Sequence, residues 1–369
     1  EHAKNAERAM RYQTVIAIWS VVCLLSLCAA GAAAWLTHHG EVETAALSES
    51  SVERFVTGAE AALNRTLIES DLLLADVGAL VSPGGVFDRE ATERALGRVV
   101  KRHLVVRDLL VIDAEGNVLA AARPNSARLG TPLPQTFVRD ALAQQVPLMM
   151  VSAPLYSLST SERSLYLAKP FQLSPHQRAL ALAEVPLPVV STILLQSLQT
   201  PGLAATLERD DGQLLLSVPP SEAHLGQPLA RPLPAEALTG TLLDTPGRID
   251  PEPVVMAARP LLYRALRISA SISRDAAFAG WRRDRLITWS AAGAFITLFF
   301  AAGSIHVAAH VDTVGRIDGV GRRMPWTMGA FSVGALSMIG IPPTAGFLGK
   351  WFILMAAVSL GQWFAVGVI

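Results

Sequence analysis

The run from Thr14 to Leu36 (TVIAIWSVVCLLSLCAAGAAAWL) carries no charge, and it constrains this chain more than any other feature. A helix rises about 1.5 Å per residue, so roughly 20 apolar residues cross a hydrocarbon core of about 30 Å, and this run suffices. Trp19 and Trp35 lie toward its two ends, where indole rings favour the membrane interface. Lys4, Arg8 and Arg11 precede it, which places the N-terminus in the cytoplasm by the positive-inside rule. A cleaved signal peptide would have an apolar core of about 7–15 residues and a small-residue cleavage site. The longer run here favours an uncleaved anchor over residues 14–36, after a short cytoplasmic N-terminus, 1–13. A second run, Leu286 to Ala309, is also long enough to span. Arginines stand on both sides of it (282, 283, 285 and 316, 322, 323), so charge alone does not orient it. If the first helix leaves the cytoplasm, the second must return, and residues 37–285 then lie outside.

Composition agrees. Hydrophobic residues make up 51% of the chain and charged residues 17%, an apolar fraction high and a charged fraction low for a soluble protein. The apolar excess is concentrated near 14–36, 286–309 and 327–369. Formal charge sums to zero, so no basic surface argues for nucleic acid. Cys23 and Cys28 both fall in the first run, where cysteines act as small apolar packing residues.

Between the spans the pattern is that of a globular domain. Val52, Phe55, Val56, Ala59, Ala62, Leu63 and Leu67 recur at three- and four-residue steps, which predicts a long helix over 41–80. Ser82-Pro83-Gly84-Gly85 stops it. A shorter helix is predicted from about Asp88 to His103. Asp108 to Ile112 reads as a buried strand, Asp113 to Asn117 as a turn, and Val118 to Ala122 as the returning strand.

That hairpin recurs. LLVIDAEGNVLAAARPNSARLGTPL from Leu109 aligns without a gap on ATLERDDGQLLLSVPPSEAHLGQPL from Ala205. Gly116 falls on Gly212, Pro124 on Pro220, Gly130 on Gly226, and Pro132-Leu133 on Pro228-Leu229. A helix near 134–145 and strands near 147–153, 164–171 and 179–185 follow the first copy. A short helix near 234–238 and strands near 241–244, 254–262 and 266–273 follow the second. Lys169-Pro170 and Arg259-Pro260 end equivalent strands. The expected class is α+β: two tandem modules, about 80–190 and 191–275, each an antiparallel sheet flanked by helices.

A long helix leaving the first span, two sheet modules and a final helix entering the second span resemble the double Cache (PAS-like) sensors of bacterial membrane receptors. Ala258-Arg259-Pro260, Ser273-Arg274-Asp275 and Trp281-Arg282-Arg283 are similar to members of membrane-bound cyclases and kinases. The resemblance covers about 37–309. It implies a plasma-membrane receptor with an extracytoplasmic ligand domain, dimerised through the long helix. It also implies a small-molecule ligand, a carboxylate or an amine, held by the first module, with Tyr156, Arg163, Tyr166 and Lys169 in the pocket-forming stretch. Arg and Lys can clamp a carboxylate, and Tyr offers a stacking face and a hydroxyl. Tyr166 and Lys169 are three apart on one strand, so they face opposite sides unless a bulge intervenes. Amino-acid-binding members carry Arg-x-Trp-Tyr, whereas this chain has Arg163-Ser164-Leu165-Tyr166 without the Trp. No zinc signature, phosphate loop or nucleophile elbow is present. His103, His176 and His224 are isolated, so neither catalysis nor a cofactor is expected.

From about Val311 the pattern changes. Gly319-Val320-Gly321-Arg322-Arg323-Met324-Pro325, Gly334-Ala335-Leu336-Ser337-Met338-Ile339-Gly340, Ile341-Pro342-Pro343-Thr344-Ala345-Gly346-Phe347 and Gly349-Lys350-Trp351 resemble the antiporter-like subunits of respiratory complex I and of multisubunit cation/proton antiporters. After a linker, 310–326, residues 327–369 read as two apolar helices broken at Pro342-Pro343, the first rich in small residues that permit close packing. A lysine within a membrane segment is costly and marks a functional candidate. The resemblance implies that Lys350 belongs to an intramembrane proton path. The other reading is a lysine that snorkels to the interface. A sensor of this kind continues into a cytoplasmic output domain, and here the antiporter-like pattern stands in that place. Two unrelated coding segments joined near 305–315 would produce it.

Overall fold

The computed structural model describes residues 2–81, 87–123, 133–157, 160–174, 177–197, 200–263, 265–309, 313, 315, 317–342, 345–359 and 361–363. The expected helix stop at 82–85, the first Leu-Gly-x-Pro corner at 129–132, Pro124, His176 and Pro343 lie outside them. The chain forms two compact units, Ala46–Ala277 and Glu1–Ala45 with Phe278–Ile369.

One helix, α1, runs unbroken from His2 to Val81. Through Ala46–Ala277 its apolar stripe (Val52, Phe55, Val56, Ala59, Leu63, Leu74, Val77) is buried against both sheets. Helix α2 (Arg89–Val100) starts at Asp88, whose side chain accepts from the Ala91 N–H at 3.2 Å, a cap worth about 1 kcal/mol.

Sheet one holds β1 (Asp108–Ile112), β2 (Val118–Ala121), β3 (Met150–Val151), β4 (Leu155–Tyr156), β5 (Arg163–Ser174) and β6 (Gln177–Pro186). Its order is β2-β1-β6-β5-β3, and β4 also pairs with β5. Helix α3 (Gln135–Ala143) covers one face. Helix α4 (Leu187–Ser197) leads on to sheet two: β7 (Leu203–Arg209), β8 (Leu214–Val218), β9 (Leu243–Pro246), β10 (Pro253–Pro260) and β11 (Leu266–Ser273), ordered β8-β7-β11-β10-β9. Every pairing is antiparallel. Nothing in the sequence reading assigned α4. Its β-branched residues (Val189, Val190, Thr192, Ile193) favour strands in isolation, and burial of Val190 and Leu194 in the core overrides that propensity. The second predicted short helix is a 3-10 turn, Glu236–Thr239.

The repeat is structural. Gly116 and Gly212 both sit at positive φ, 87° and 83°, a conformation that favours glycine. In each turn an aspartate accepts from the backbone two residues on: Asp113 from Glu115 at 3.0 Å, and Asp211 from Gln213 at 3.1 Å. Arg209 beside Asp211 holds that carboxyl below its usual range.

The one-turn helix α5 (Arg274–Ala277) ends the sheet unit; in the other unit, α6 (Ala279–Ala309) is followed by α7 (Val320–Arg323), α8 (Pro325–Ile339) and α9 (Ala345–Ser359). Trp281 donates its indole N–H to the Thr37 carbonyl at 2.9 Å, and Trp19 meets Phe300 at 5.6 Å between ring centroids. A Cβ at Gly334 would come within 2.8 Å of Leu298, so α8 lies against α6 at a distance only glycine allows. Such small-residue contacts are how helices associate where lipid removes the hydrophobic drive.

Candidate functional site

Alternation along a strand sorts side chains to two faces. In sheet one, Leu109, Val111, Leu165, Leu167, Ala181 and Ala183 face the core shared with α1, while Leu110, Ile112, Tyr166, Ala168, Leu180 and Leu182 face α3.

The four expected pocket residues do not share one pocket. Tyr156, on the short edge strand β4, is 58% exposed. Arg163 stacks its guanidinium 4.6 Å from the Tyr156 ring centroid and places Nε 3.4 Å from Glu222 of the second module. Tyr166 is only 2% exposed and faces α3. Burial, then the Glu184 carboxylate, pushes its hydroxyl pKa up. Lys169 faces the other way and lies 2.7 Å from Asp71 on α1. Its counterpart in the repeat, Arg259, lies 3.2 Å from Glu60 on the same helix. Burial first and the Asp71 carboxylate second push the Tyr263 pKa up to about 12. Lys169 is therefore an anchor of sheet to helix. A cation ending an inward-facing strand is only partly hydrated there and takes the nearest helix carboxylate.

The sequence reading missed a polar cluster beside Tyr166. Asp108 on β1 and Glu184 on β6 are register partners, 1% and 3% exposed, and Tyr166 pairs with Glu184 from the other side. Asp108 accepts from the Leu109 and Arg123 N–H groups at 2.9 and 3.1 Å. Ser164 donates to Glu184 at 3.1 Å, and Arg107 lies 4.0 Å from it. The available signal was an acid heading or ending an otherwise apolar strand, DLLVI and ALALAEVP.

The equivalent face of sheet two is built differently. Glu208 is bound by both Nε (3.0 Å) and Nη2 of Arg248, and both side chains are almost fully buried. Thr206 donates to Glu208 at 2.6 Å and meets the Ser269 hydroxyl at 2.6 Å. Beyond them lies a cleft of about 1010 Å³. His224 lines it and shares a 2.9 Å hydrogen bond with Ser221. Among the described residues no group of three or more metal-binding side chains exists.

Lys350 donates to the Ile339 carbonyl at 2.9 Å and packs on Gly340, which ends α8 at φ 87°. It caps a carbonyl left open by the helix break. It is in no ion pair among the described residues.

The Ala46–Ala277 unit thus holds two tandem sheet modules packed along one helix. The extracellular domain of a candidate histidine kinase, rpHK1S-Z16, superimposes with a TM-score of 0.53 at 16% identity over 64% of this chain and 98% of that one. The ligand-binding domain of the Pseudomonas aeruginosa chemoreceptor PctB, in complex with L-Arg, gives 0.50 at 16% identity over 64% and 92%. At these identities the likeness shows the fold. Residues 287–369 match the NADH:quinone oxidoreductase/Mrp antiporter transmembrane family. NADH-quinone oxidoreductase subunit N of Desulforudis audaxviator is 44% identical over 72 residues, and subunit L of Rickettsia bellii is 41% identical over 73. Each alignment takes in 20% of this chain. The chain spans only 14% and 11% of those relatives' lengths. The chain is a membrane protein that carries the fold of these extracellular domains over its sheet unit and a segment similar to antiporter subunits over 287–369. The family match begins at 287 and so takes in the second apolar run, which the motifs alone had left with the sensor.

Proposed function

We propose that the chain is a membrane receptor whose extracytoplasmic double Cache domain, residues 37–285, senses a small molecule, with no catalytic activity of its own. One observation carries this reading. Two copies of one module are pinned to a single helix by equivalent ion pairs, Lys169–Asp71 and Arg259–Glu60, and that helix continues from the charge-free run at 14–36. A ligand that reshapes either sheet then acts on the same rod. Dimerisation through α1 would place two such rods side by side. Thermal-shift screening of residues 41–280 against small carboxylates and amines tests it. A compound at about 100 times its Kd adds roughly 2.7 kcal/mol to the folded state. If no compound in either class moves the melting point, the sensing reading falls.

The match at 287–369 favours a second reading, a piece of a proton-translocating antiporter or quinone-oxidoreductase subunit. There Lys350 would relay protons, and the join would lie close to residue 286. Coding segments next to this one decide between them. Neighbouring antiporter subunits favour the second reading, and a cyclase or kinase segment displaced past the join favours the first.

A further inference from the structure

The repeat allows the two modules to be compared position by position, and the comparison isolates one face. From the register, Asp108 corresponds to Ala204, Leu110 to Thr206, Leu182 to Ser269 and Glu184 to Ser271. Large side chains fill the first module's face, and α3 lies over it with Val138 and Ala141 fully buried. In the second module the same positions hold Ala, Thr and Ser. The covering segment there is the four-residue turn Glu236–Thr239, which packs with Val254, Met256 and Ala258 on β10; Arg248 lies over Glu208, Thr206 and Ser269 are buried, and Ala204 and Ser271 nearer the strand ends stay half-buried. Small residues under a short cover leave a volume that the first module spends on its own side chains. That volume is the cleft of about 1010 Å³, within the size range of small-molecule sites.

Its charge selects a ligand class. Arg248 is neutralised by Glu208, Arg163 stands beside Glu222, and Glu162 is bound to Arg107. Asp250 and Glu252 also line the cleft, and neither is in an ion pair among the described residues. Among the described residues the Glu252 carboxylate accepts a single long hydrogen bond, 3.4 Å from Ser273. The opposing wall is apolar, with Leu195 of α4 52% exposed. We infer that this cleft of the second module is the ligand site, and that it takes a small organic cation: an amine with a short apolar body. The ammonium meets Asp250 and Glu252, the body lies along Leu187 and Leu195, and Ser271 and Ser273 form the floor. This rests on the sensing reading and names its site.

The test is calorimetric titration of the full chain in lipid nanodiscs with three probes that share a phenethyl body: phenethylamine, 3-phenylpropionate and 2-phenylethanol. Phenethylamine should bind best, the alcohol a few-fold more weakly, and the anion, repelled by Asp250 and Glu252, should not bind. Ser271→Leu fills the floor and should raise its Kd about tenfold or more, which corresponds to about 1.4 kcal/mol. Ala204→Leu, on the neighbouring strand, should do the same and guards against one variant failing to fold. Asp250→Asn with Glu252→Gln should raise Kd a few-fold, about what exposed charges contribute. Glu184→Gln in the first module should leave binding unchanged. Phenethylamine binding that survives both leucine variants, or is lost in Glu184→Gln, overturns the site while leaving the sensor reading intact. Binding of the anion in place of the amine overturns the ligand class. If none of the three binds but another compound raises the melting point, this inference alone falls. If none raises it, both fall.

Discussion

The two modules share a turn, a strand order and an ion pair to α1, yet they treat one face in opposite ways. The first closes it with Leu110, Ile112, Leu180, Leu182 and Tyr166 under a nine-residue helix. The second lines it with hydroxyls and a buried Arg248–Glu208 pair, and its four-residue turn packs on β10 alone. The fold is fixed by the face toward α1, where both modules bury aliphatic side chains in one continuous core. The opposite face contributes less to that shared core, so its residues can change without loss of the architecture. Duplicated modules can thus divide labour, one providing rigidity and the other an opening.

Mutations can break this contrast. The largest effect is expected at Arg248→Ala, which strands Glu208 in a buried site and should cost about 3–5 kcal/mol in urea unfolding of the sheet unit. Replacing both partners, Arg248→Met with Glu208→Leu, should restore most of that loss, because a buried ion pair contributes little net stability over packed apolar groups. A double variant as unstable as the single one would show that the pair organises the second module rather than merely occupying it.

Next comes the matched pair Leu182→Ala and Ser269→Ala, equivalent positions in the two modules. The first opens a cavity under α3 and should cost about 2–5 kcal/mol. The second removes one hydroxyl from the Thr206 network and should cost only about 1 kcal/mol. Equal costs would mean the second face is packed as tightly as the first. The helix anchors should matter less still. Lys169→Ala and Arg259→Ala each remove a partly exposed pair and should cost about 1 kcal/mol or less, by about the same amount in both modules.

The last effect is alkaline. Tyr263 ionises near pH 12 in the folded chain, because burial and Asp71 disfavour the phenolate, and near pH 10 when unfolded. Between these values the unfolded state has released a proton that the folded state retains, so stability must fall as pH rises through that window. Tyr166 shifts in the same direction. Tyr263→Phe should flatten the alkaline loss seen in a pH series of melting temperatures. An unchanged slope would assign the loss to Tyr166 alone, which Tyr166→Phe would then remove.

Much of this architecture was legible. The hairpin at Asp108, the Asp-Gly turns, the duplicated strands and the long stripe on α1 follow from alternation and three-to-four spacing, because each is a local consequence of backbone geometry. The same alternation placed Tyr166 and Lys169 on opposite faces. The candidate site was less legible. Lys169 reads as a ligand clamp until Asp71, distant in sequence, is seen to take it. Arg248 reads as a loop arginine until the fold brings it to Glu208, forty residues away. Helix α4 escaped notice because packing, not propensity, makes it a helix.

By itself the sequence determined the two apolar runs, the tandem repeat and the antiporter-like motifs around Lys350, since hydrocarbon thickness, strand period and turn stereochemistry act on neighbouring residues. Only the tertiary structure decided which carboxylate receives each cation, which face α3 closes, and where space remains. Those depend on what lies across from a side chain, and alternation tells which way a residue points without telling what it meets.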